Sequence, residues 1–310
     1  MNIVCVESLG ISQAYFESLK AHYAAIGHQF TYYMDRREDE ATLADRMCEA
    51  DIVVVSNIRL SAAVLSQCPH LKYLSVAFTG LDHIDLAYCK EHDITVQNAA
   101  GYSTTAVSEL AIGMMLDLLR NILTLSESML HGGSRGTFLG RELRGKTVGI
   151  VGTGAIGTAT ARLLLAFGAK VIAYSRTERP EVKAMGVEYL PLCTLLQQSD
   201  IVSLHVPLCD ETRGLIGEKE LALMKPTALL VNTARGPVCD IPAVGKALVD
   251  GTIAGAAFDV FEQEPPLPLD HLLLSSRRCL VTPHVAFATE ESFAARADIV
   301  FNHVDEYLQR

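Results

Sequence analysis

Apolar residues in this chain gather in short unbroken runs, separated by stretches with helical spacing. Ile3–Val6, Ile52–Val55, Tyr73–Val76 and Ile94–Val96 are such runs in the first part of the chain. A strand with one wet face alternates apolar and polar residues, whereas a strand covered by helices on both faces stays apolar throughout. The segment from Ser12 to Ile26 reads as the first of the intervening helices. A second series opens at Lys146 and predicts strands at Val148–Val151, Val171–Tyr174, Val187–Leu190, Ile201–His205, Ala228–Val231, Ile253–Phe258 and Cys279–Val281. Strands that alternate with helices in this way form a parallel α/β sheet.

The rhythm changes around Asn98–Thr105, and a domain boundary is expected there. Hydroxyls of Ser103 to Thr105 offer N-caps to one long helix reaching about Leu130. Beyond it lies a Gly-rich segment, His131-Gly-Gly-Ser-Arg-Gly-Thr-Phe-Leu-Gly140, too long for a tight turn. It suits either an arm over a neighbouring subunit or a surface loop. From Thr289 onward the pattern is an amphipathic helix, which can return to close the N-terminal half.

Composition narrows the class. The 310 residues are 49% apolar and 20% charged, enough to build full cores and unlike a disordered chain or a coiled coil. The length suits two domains of about 150 residues. Against 26 Lys and Arg stand 36 Asp and Glu, a net of −10. With no basic cluster, neither nucleic acid nor an anionic membrane is expected as the main partner. The 8 cysteines form no C-x-x-C pair and no Cys/His group at metal spacing, so no metal is expected and most thiols should be buried. Met1–Gly10 lacks a basic start, and runs such as Leu110–Leu116 fall short of the roughly 20 residues of a membrane span. A cytoplasmic protein is expected.

The sharpest local signal is Val148-Gly-Ile-Val-Gly-Thr-Gly-Ala-Ile-Gly157. Gly152, Gly154 and Gly157 follow a buried strand and open a helix at Ala155 and Ile156, the setting in which G-x-G-x-x-G binds a dinucleotide. Gly152 permits the tight turn, Gly154 lets main chain approach a pyrophosphate, and Gly157 lets helix pack on strand. Free N–H groups at the helix start would then hold the anion. The next strand ends in Tyr174-Ser175-Arg176-Thr177, with no acid to accept from an adenosine ribose hydroxyl. Two hydroxyls and a guanidinium instead suit a 2′-phosphate, so NADP is favoured and NAD admitted.

Three further segments fall at strand ends of the second series: Val231-Asn-Thr-Ala-Arg-Gly236, Phe258-Asp-Val-Phe-Glu-Gln-Glu-Pro-Pro266 and Thr282-Pro-His-Val-Ala-Phe287. With the glycine motif, Asn98-Ala-Ala-Gly-Tyr-Ser103 and Gly80-Leu-Asp-His-Ile-Asp85, they make the chain resemble the D-isomer-specific 2-hydroxyacid dehydrogenase family along nearly its whole length. The resemblance implies two doubly wound parallel-sheet domains, a flavodoxin-like substrate domain over residues 1–98 and 286–310 and a Rossmann cofactor domain over 99–285, with the active site in the cleft. It implies that Arg235 holds the substrate carboxylate, that Glu264 partners His284, and that His284 is the acid/base. Main chain near Thr79 and Gly80 would take further carboxylate contacts. His205, Thr233, Ala234 and a supporting Asp259 would lie at the cofactor, and a homodimer is implied.

The chemistry is consistent without the family name. Reducing a 2-keto acid needs a hydride, which a nicotinamide supplies, and a proton, which the protein must supply. Histidine is the side chain suited to giving and taking a proton near neutrality, and an adjacent carboxylate orients it and favours its charged form. A planar guanidinium fixes a carboxylate through paired contacts. One departure from relatives is Ala77-Phe-Thr-Gly-Leu-Asp82, where Phe78 enters the wall near the substrate loop. Asn57, with Ser56 and Arg59, follows a strand end and is a candidate for the substrate's far end. The expected activity is NADP-preferring reduction of a small 2-keto acid such as glyoxylate or hydroxypyruvate. The alternatives are a dinucleotide-sensing scaffold like the corepressors of this fold, or a formate- or phosphite-type dehydrogenase.

Overall fold

The computed structural model describes residues 1–310, and the chain forms two compact units, residues 1–103 with 288–310 and residues 104–287. The first unit runs β1 (Asn2–Cys5), α1 (Gln13–Ala25), β2 (Gln29–Tyr32), α2 (Glu40–Met47), β3 (Ile52–Val55), α3 (Ala62–Leu65), β4 (Tyr73–Val76), α4 (Leu86–Glu91) and β5 (Thr95–Asn98). Its strands are all parallel in the order β2-β1-β3-β4-β5, the flavodoxin-like arrangement. Each helix starts at a fixed point because a short polar side chain caps it. Ser12, Asp39, Ser61 and Asp85 accept N–H groups of Tyr15, Thr42, Val64 and Tyr88. β2 is absent from the apolar-run pattern because it is an edge strand that alternates. Only Phe30 of its four residues is buried, against the rings of Phe16 and Phe301 at 6.3 and 5.8 Å.

The second unit opens with α5 (Thr104–Arg120) and α6 (Ile122–Leu130), then β6 (Thr147–Val151), α7 (Ala155–Ala166), β7 (Lys170–Tyr174), α8 (Pro180–Ala184), β8 (Glu188–Tyr189), α9 (Leu192–Gln198) and β9 (Ile201–Leu204). It continues with α10 (Glu218–Leu223), β10 (Leu229–Asn232), a 3₁₀ turn at Gly236–Val238, α11 (Ile241–Asp250), β11 (Gly255–Phe258) and β12 (Cys279–Val281). All seven strands are parallel, ordered β12-β11-β10-β9-β6-β7-β8, so the direction of winding reverses between β6 and β9. Both faces are covered. Leu195, Val202, Leu230 and Phe258 belong to one core, and Met115, Ile150, Leu164 and Val171 to another. This double burial is why the runs do not alternate.

The long helix expected from Ser103 to Leu130 is two helices. Asn121 sits in the left-handed region at φ +54°, its N–H bonded to the Asp117 carbonyl, while the Asp117 carboxylate takes the N–H of Leu123 at 2.8 Å. Asn tolerates this conformation, and Asp117 captures a donor of the new helix, so the pair ends α5 and starts α6. No residue of α6 is buried.

The chain closes with α12 (Glu290–Leu308), which belongs to the first unit. Thr289 caps it in a reciprocal arrangement with Ser292. Ser75 of β4 donates to the Val300 carbonyl at 3.0 Å, and Tyr73 stacks on Tyr307 at 4.4 Å. The buried Arg296 guanidinium reaches the Leu9 carbonyl at 2.5 Å and the Ser56 hydroxyl at 3.2 Å. No helix is long and apolar enough to cross a membrane.

A branched side chain should be penalised at the α5–α6 break. Asn121→Val is expected to cost about 1–2 kcal/mol of folding free energy and Asn121→Gly essentially none, measured by urea unfolding. Equal losses in both would show that the backbone angle is not what breaks the helix.

Candidate active site

The loops that follow β6 and β9 lie at the reversal of the second sheet, where ligands of open α/β sheets bind. Gly152 has φ +97°, and a Cβ there would sit 2.6 Å from the carbonyl oxygen of His205. A Cβ on Gly157 would run into the Gly152 carbonyl. These two glycines let three segments of main chain touch. Gly154 differs: a Cβ there would meet nothing within 4 Å, and as N-cap of α7 it leaves the helix with no side-chain cap. Ala155 is exposed and Ile156 half-buried beside that open N-terminus. An uncapped helix start with open space beside it fits an anion such as a pyrophosphate.

Ser175, Arg176 and Thr177 follow β7, the neighbour of β6, with Ser175 half-buried and the other two exposed. Within this segment Glu178 pairs with Lys183 at 2.5 Å and Glu181 with Arg179 at 3.3 Å. A hydrogen bond from Cys209 and the field of Arg176 hold the Glu211 carboxyl below its usual range. The Tyr189 hydroxyl donates to Thr153 Oγ1 at 2.8 Å and accepts the Arg179 N–H at 3.1 Å. His205 turns its ring to the Ser203 hydroxyl at 2.9 Å, and burial pushes its pKa down to about 4. It is therefore neutral at physiological pH and supports the glycine loop through its main chain.

The chemistry-bearing loops follow β10, β11 and β12, which are adjacent and in register at Asn232, Phe258 and Val281. All three loops therefore leave the same edge of the sheet. The first is shaped by the buried Asn232, whose Oδ1 accepts the Ala234 N–H and whose Nδ2 donates to the Arg235 carbonyl, each at 3.0 Å. Arg235 Nη1 donates to the Ala234 carbonyl at 2.8 Å. The Thr233 hydroxyl is buried with no hydrogen-bond partner, a polar atom suited to a ligand group. Gly236 presses against the main chain of Phe261, where a Cβ would collide, so the Arg235 loop is seated directly on the loop after β11.

That second loop carries both acids. His284 Nδ1 lies 2.8 and 2.9 Å from the two carboxylate oxygens of Glu264. The imidazole is 11% exposed and the Glu264 side chain 59%, so the ring is enclosed while its partner stands in solvent. His284 is in the left-handed region at φ +54°. The fully buried Asp259 holds that backbone: its carbonyl accepts the His284 N–H at 2.8 Å. Its carboxylate accepts the Thr282 hydroxyl at 2.5 Å and the N–H groups of Val285 and Ala286 at 2.9 and 2.8 Å. Burial pushes the Asp259 carboxyl above its usual range, against those hydrogen bonds, which favour the charged form. Phe287 packs edge-on to the imidazole at 5.3 Å.

Thr79, Gly80 and Asn57 belong to the first unit, in the loops after β4 and β3. Asn98 Nδ2 donates to the Thr79 carbonyl at 2.5 Å and so fixes the loop. Phe78 is buried against His83. Asn57 Oδ1 accepts from Arg36 at 2.9 Å, and the same guanidinium nitrogen reaches the buried Glu7 at 2.8 Å, so Asn57 is part of a charged network. Asn232, Thr282 and Tyr189 shape these loops and were not singled out from the sequence. Nothing in their spacing distinguishes them, since their roles come from contacts that only the fold creates.

Residues 112–286 match the sequence profile described as D-isomer specific 2-hydroxyacid dehydrogenase, NAD binding domain. A glyoxylate reductase of Thermococcus litoralis is 40% identical over 83% of this chain and 80% of its own length. A hydroxypyruvate reductase of Blautia hydrogenotrophica is 32% identical over 92% of this chain and 90% of its own. Among solved structures, an acyclic imino acid reductase in complex with NADPH and D-Arg superposes with a TM-score of 0.90 at 28% identity, covering 100% of this chain and 97% of that one. The fold, the strand-end loops and these likenesses together make the chain a member of the D-isomer-specific 2-hydroxyacid dehydrogenase family, a nicotinamide-dependent oxidoreductase.

Proposed function

We propose that the protein reduces a small 2-keto acid, of the glyoxylate or hydroxypyruvate kind, to the D-2-hydroxy acid with NADPH as the preferred cofactor. The observation that carries this reading is the His284–Glu264 pair, an enclosed imidazole held through Nδ1 by a carboxylate. The names of the relatives, glyoxylate reductase and hydroxypyruvate reductase, support the substrate class.

The bound nicotinamide supplies the hydride. His284 supplies the proton: with Nδ1 engaged by Glu264, Nε2 is the nitrogen that gives H⁺ to the substrate oxygen and takes it back in oxidation. The backbone conformation held by Asp259 keeps that nitrogen in one place, which is where the rate advantage of a positioned acid comes from. We assign to Arg235 the substrate carboxylate, to main-chain N–H groups of Thr79 and Gly80 its second set of contacts, and to Asn57 the substrate's far end.

Residues of the second unit fit the cofactor. The open start of α7, with Gly152, Gly154, Ala155, Ile156 and Gly157, suits the pyrophosphate, and the unsatisfied Thr233 hydroxyl, with Ala234 beside it, suits the nicotinamide end. Ser175, Arg176 and Thr177 support NADP, since a guanidinium and two hydroxyls meet a phosphate dianion where an acid would repel it. The neighbour solved with NADPH supports the same choice.

Exposed apolar residues on α6 support assembly as a homodimer. Ile122, Leu123, Met129 and Leu130 are all exposed on that helix, Leu130 by 84%, and Leu139 in the Gly-rich segment is 79% exposed. Apolar groups gathered in this way mark an interaction surface, and a second copy of the chain supplies a cover of matching chemistry.

Following nicotinamide absorbance with a panel of 2-keto acids and both reduced cofactors tests the activity directly. His284→Ala should lower kcat by about a hundredfold or more with cofactor affinity kept. Arg176→Ala should weaken NADPH by about tenfold or more and NADH little, by calorimetric titration. Light scattering should give twice the chain mass, reduced to one by Leu130→Glu with Leu139→Glu; a wild-type monomer refutes the dimer.

A further inference from the structure

We propose that Tyr189 is a positioning residue for the adenosine end of the cofactor, its hydroxyl fastening the segment Ser175–Arg179 to the glycine loop. The proposal rests on the NADP reading given above and names the device that makes it work.

Two separate stretches of chain share one phenolic oxygen. On one side the Tyr189 hydroxyl donates to Thr153 Oγ1 at 2.8 Å, and Thr153 is the buried residue between Gly152 and Gly154. Its own carbonyl is taken by the Thr158 hydroxyl of α7 at 3.1 Å, so Thr153 is tied to the helix whose start suits the pyrophosphate. On the other side the same oxygen accepts the N–H of Arg179 at 3.1 Å. Arg179 is the N-cap of α8, which has no side-chain cap. The phenol thus anchors the residue at which the Ser175–Arg179 segment ends.

The strand leading into that segment is held as well. β8 pairs Tyr189 with Ala173 of β7, and the Leu190 N–H donates to the Ala173 carbonyl at 2.8 Å. The strand that leads into the five-residue span and the residue that ends it therefore both refer to Tyr189, one through main chain and one through the hydroxyl. Within the span the acids are turned back on α8, Glu178 to Lys183 and, just beyond, Glu181 to Arg179, so neither carboxylate competes for a phosphate beside Arg176. The Lys183 ammonium also lies over the Tyr189 ring, 5.9 Å from its centre.

An exposed arginine on a loose loop gains little from a phosphate, because ordering the loop costs the free energy that the contact returns. A loop already fastened at its far end does not incur that cost. Removal of the hydroxyl alone should consequently weaken recognition of the 2′-phosphate while leaving the rest of the dinucleotide site intact.

The test compares 2′,5′-ADP with 5′-ADP by isothermal titration on the full-length protein. Wild type should prefer 2′,5′-ADP, and Arg176→Ala should remove that preference. Tyr189→Phe should weaken 2′,5′-ADP by about tenfold and 5′-ADP by less than about twofold, and combining it with Arg176→Ala should add nothing further for 2′,5′-ADP. Thr153→Val removes the other end of the bridge and should reduce the same ligand selectively. A wild type with no preference would overturn the NADP reading itself. With preference present in wild type and lost in Arg176→Ala, the Tyr189 proposal is overturned if Tyr189→Phe leaves 2′,5′-ADP unchanged, if it weakens both ligands equally, or if Thr153→Val keeps full affinity.

Discussion

The buried carboxylate of Asp259 is the tie on which the backbone conformation of His284 depends. A non-glycine residue in the left-handed region carries a penalty of about 1–2 kcal/mol, and His284 is held there by its neighbours rather than by preference. Asp259 supplies what offsets it, binding Thr282 before the histidine and the N–H groups of Val285 and Ala286 after it. The two acids near the imidazole have divided roles because their surroundings differ. Asp259, without solvent, fixes the main chain; Glu264, largely in solvent, meets the ring at Nδ1.

Elsewhere in the second unit, positions are set by side chains that are missing. Gly152 and Gly157 bring the loop after β6, the start of α7 and the loop after β9 into main-chain contact. Gly236 does the same for the Arg235 loop and the main chain at Phe261, between Asp259 and Glu264. The arginine, the glutamate and the histidine thus lie on three loops coupled through backbone rather than through adaptable side-chain packing. Such contacts tolerate little displacement, which suits groups whose effect depends on fractions of an ångström.

The sequence revealed what depends on composition along one strand or one turn. The inner strands of the second unit, β6, β9, β10 and β11, were legible because they are buried on both faces and most of their residues are apolar. The glycine motif was legible because its spacing has a single structural use. β2 escaped because an edge strand alternates like a surface loop, with Phe30 as its one buried side chain. The break at Asn121 escaped because apolar spacing continues through it, and only the Asp117 contacts reveal it. His284, Glu264 and Arg235 were found through resemblance to a family, whereas Thr282 and Tyr189 act through partners distant in the chain and Asn232 through a local turn onto Ala234 and Arg235. No pattern along the chain encodes those partners.

The placement of α12 has a consequence for how the protein is made. Residues 104–287 are continuous and can close their core as they are synthesised, but the first unit needs Ser75 to meet Val300 and Leu9 to meet Arg296. Its β-strands leave the ribosome early and wait, with α1 covering only part of one face, for α12 to emerge. The unit whose strands precede the cofactor fold is therefore completed after it, and it is the nascent first sheet, rather than the cofactor fold, that is exposed to premature association or to chaperone capture during synthesis.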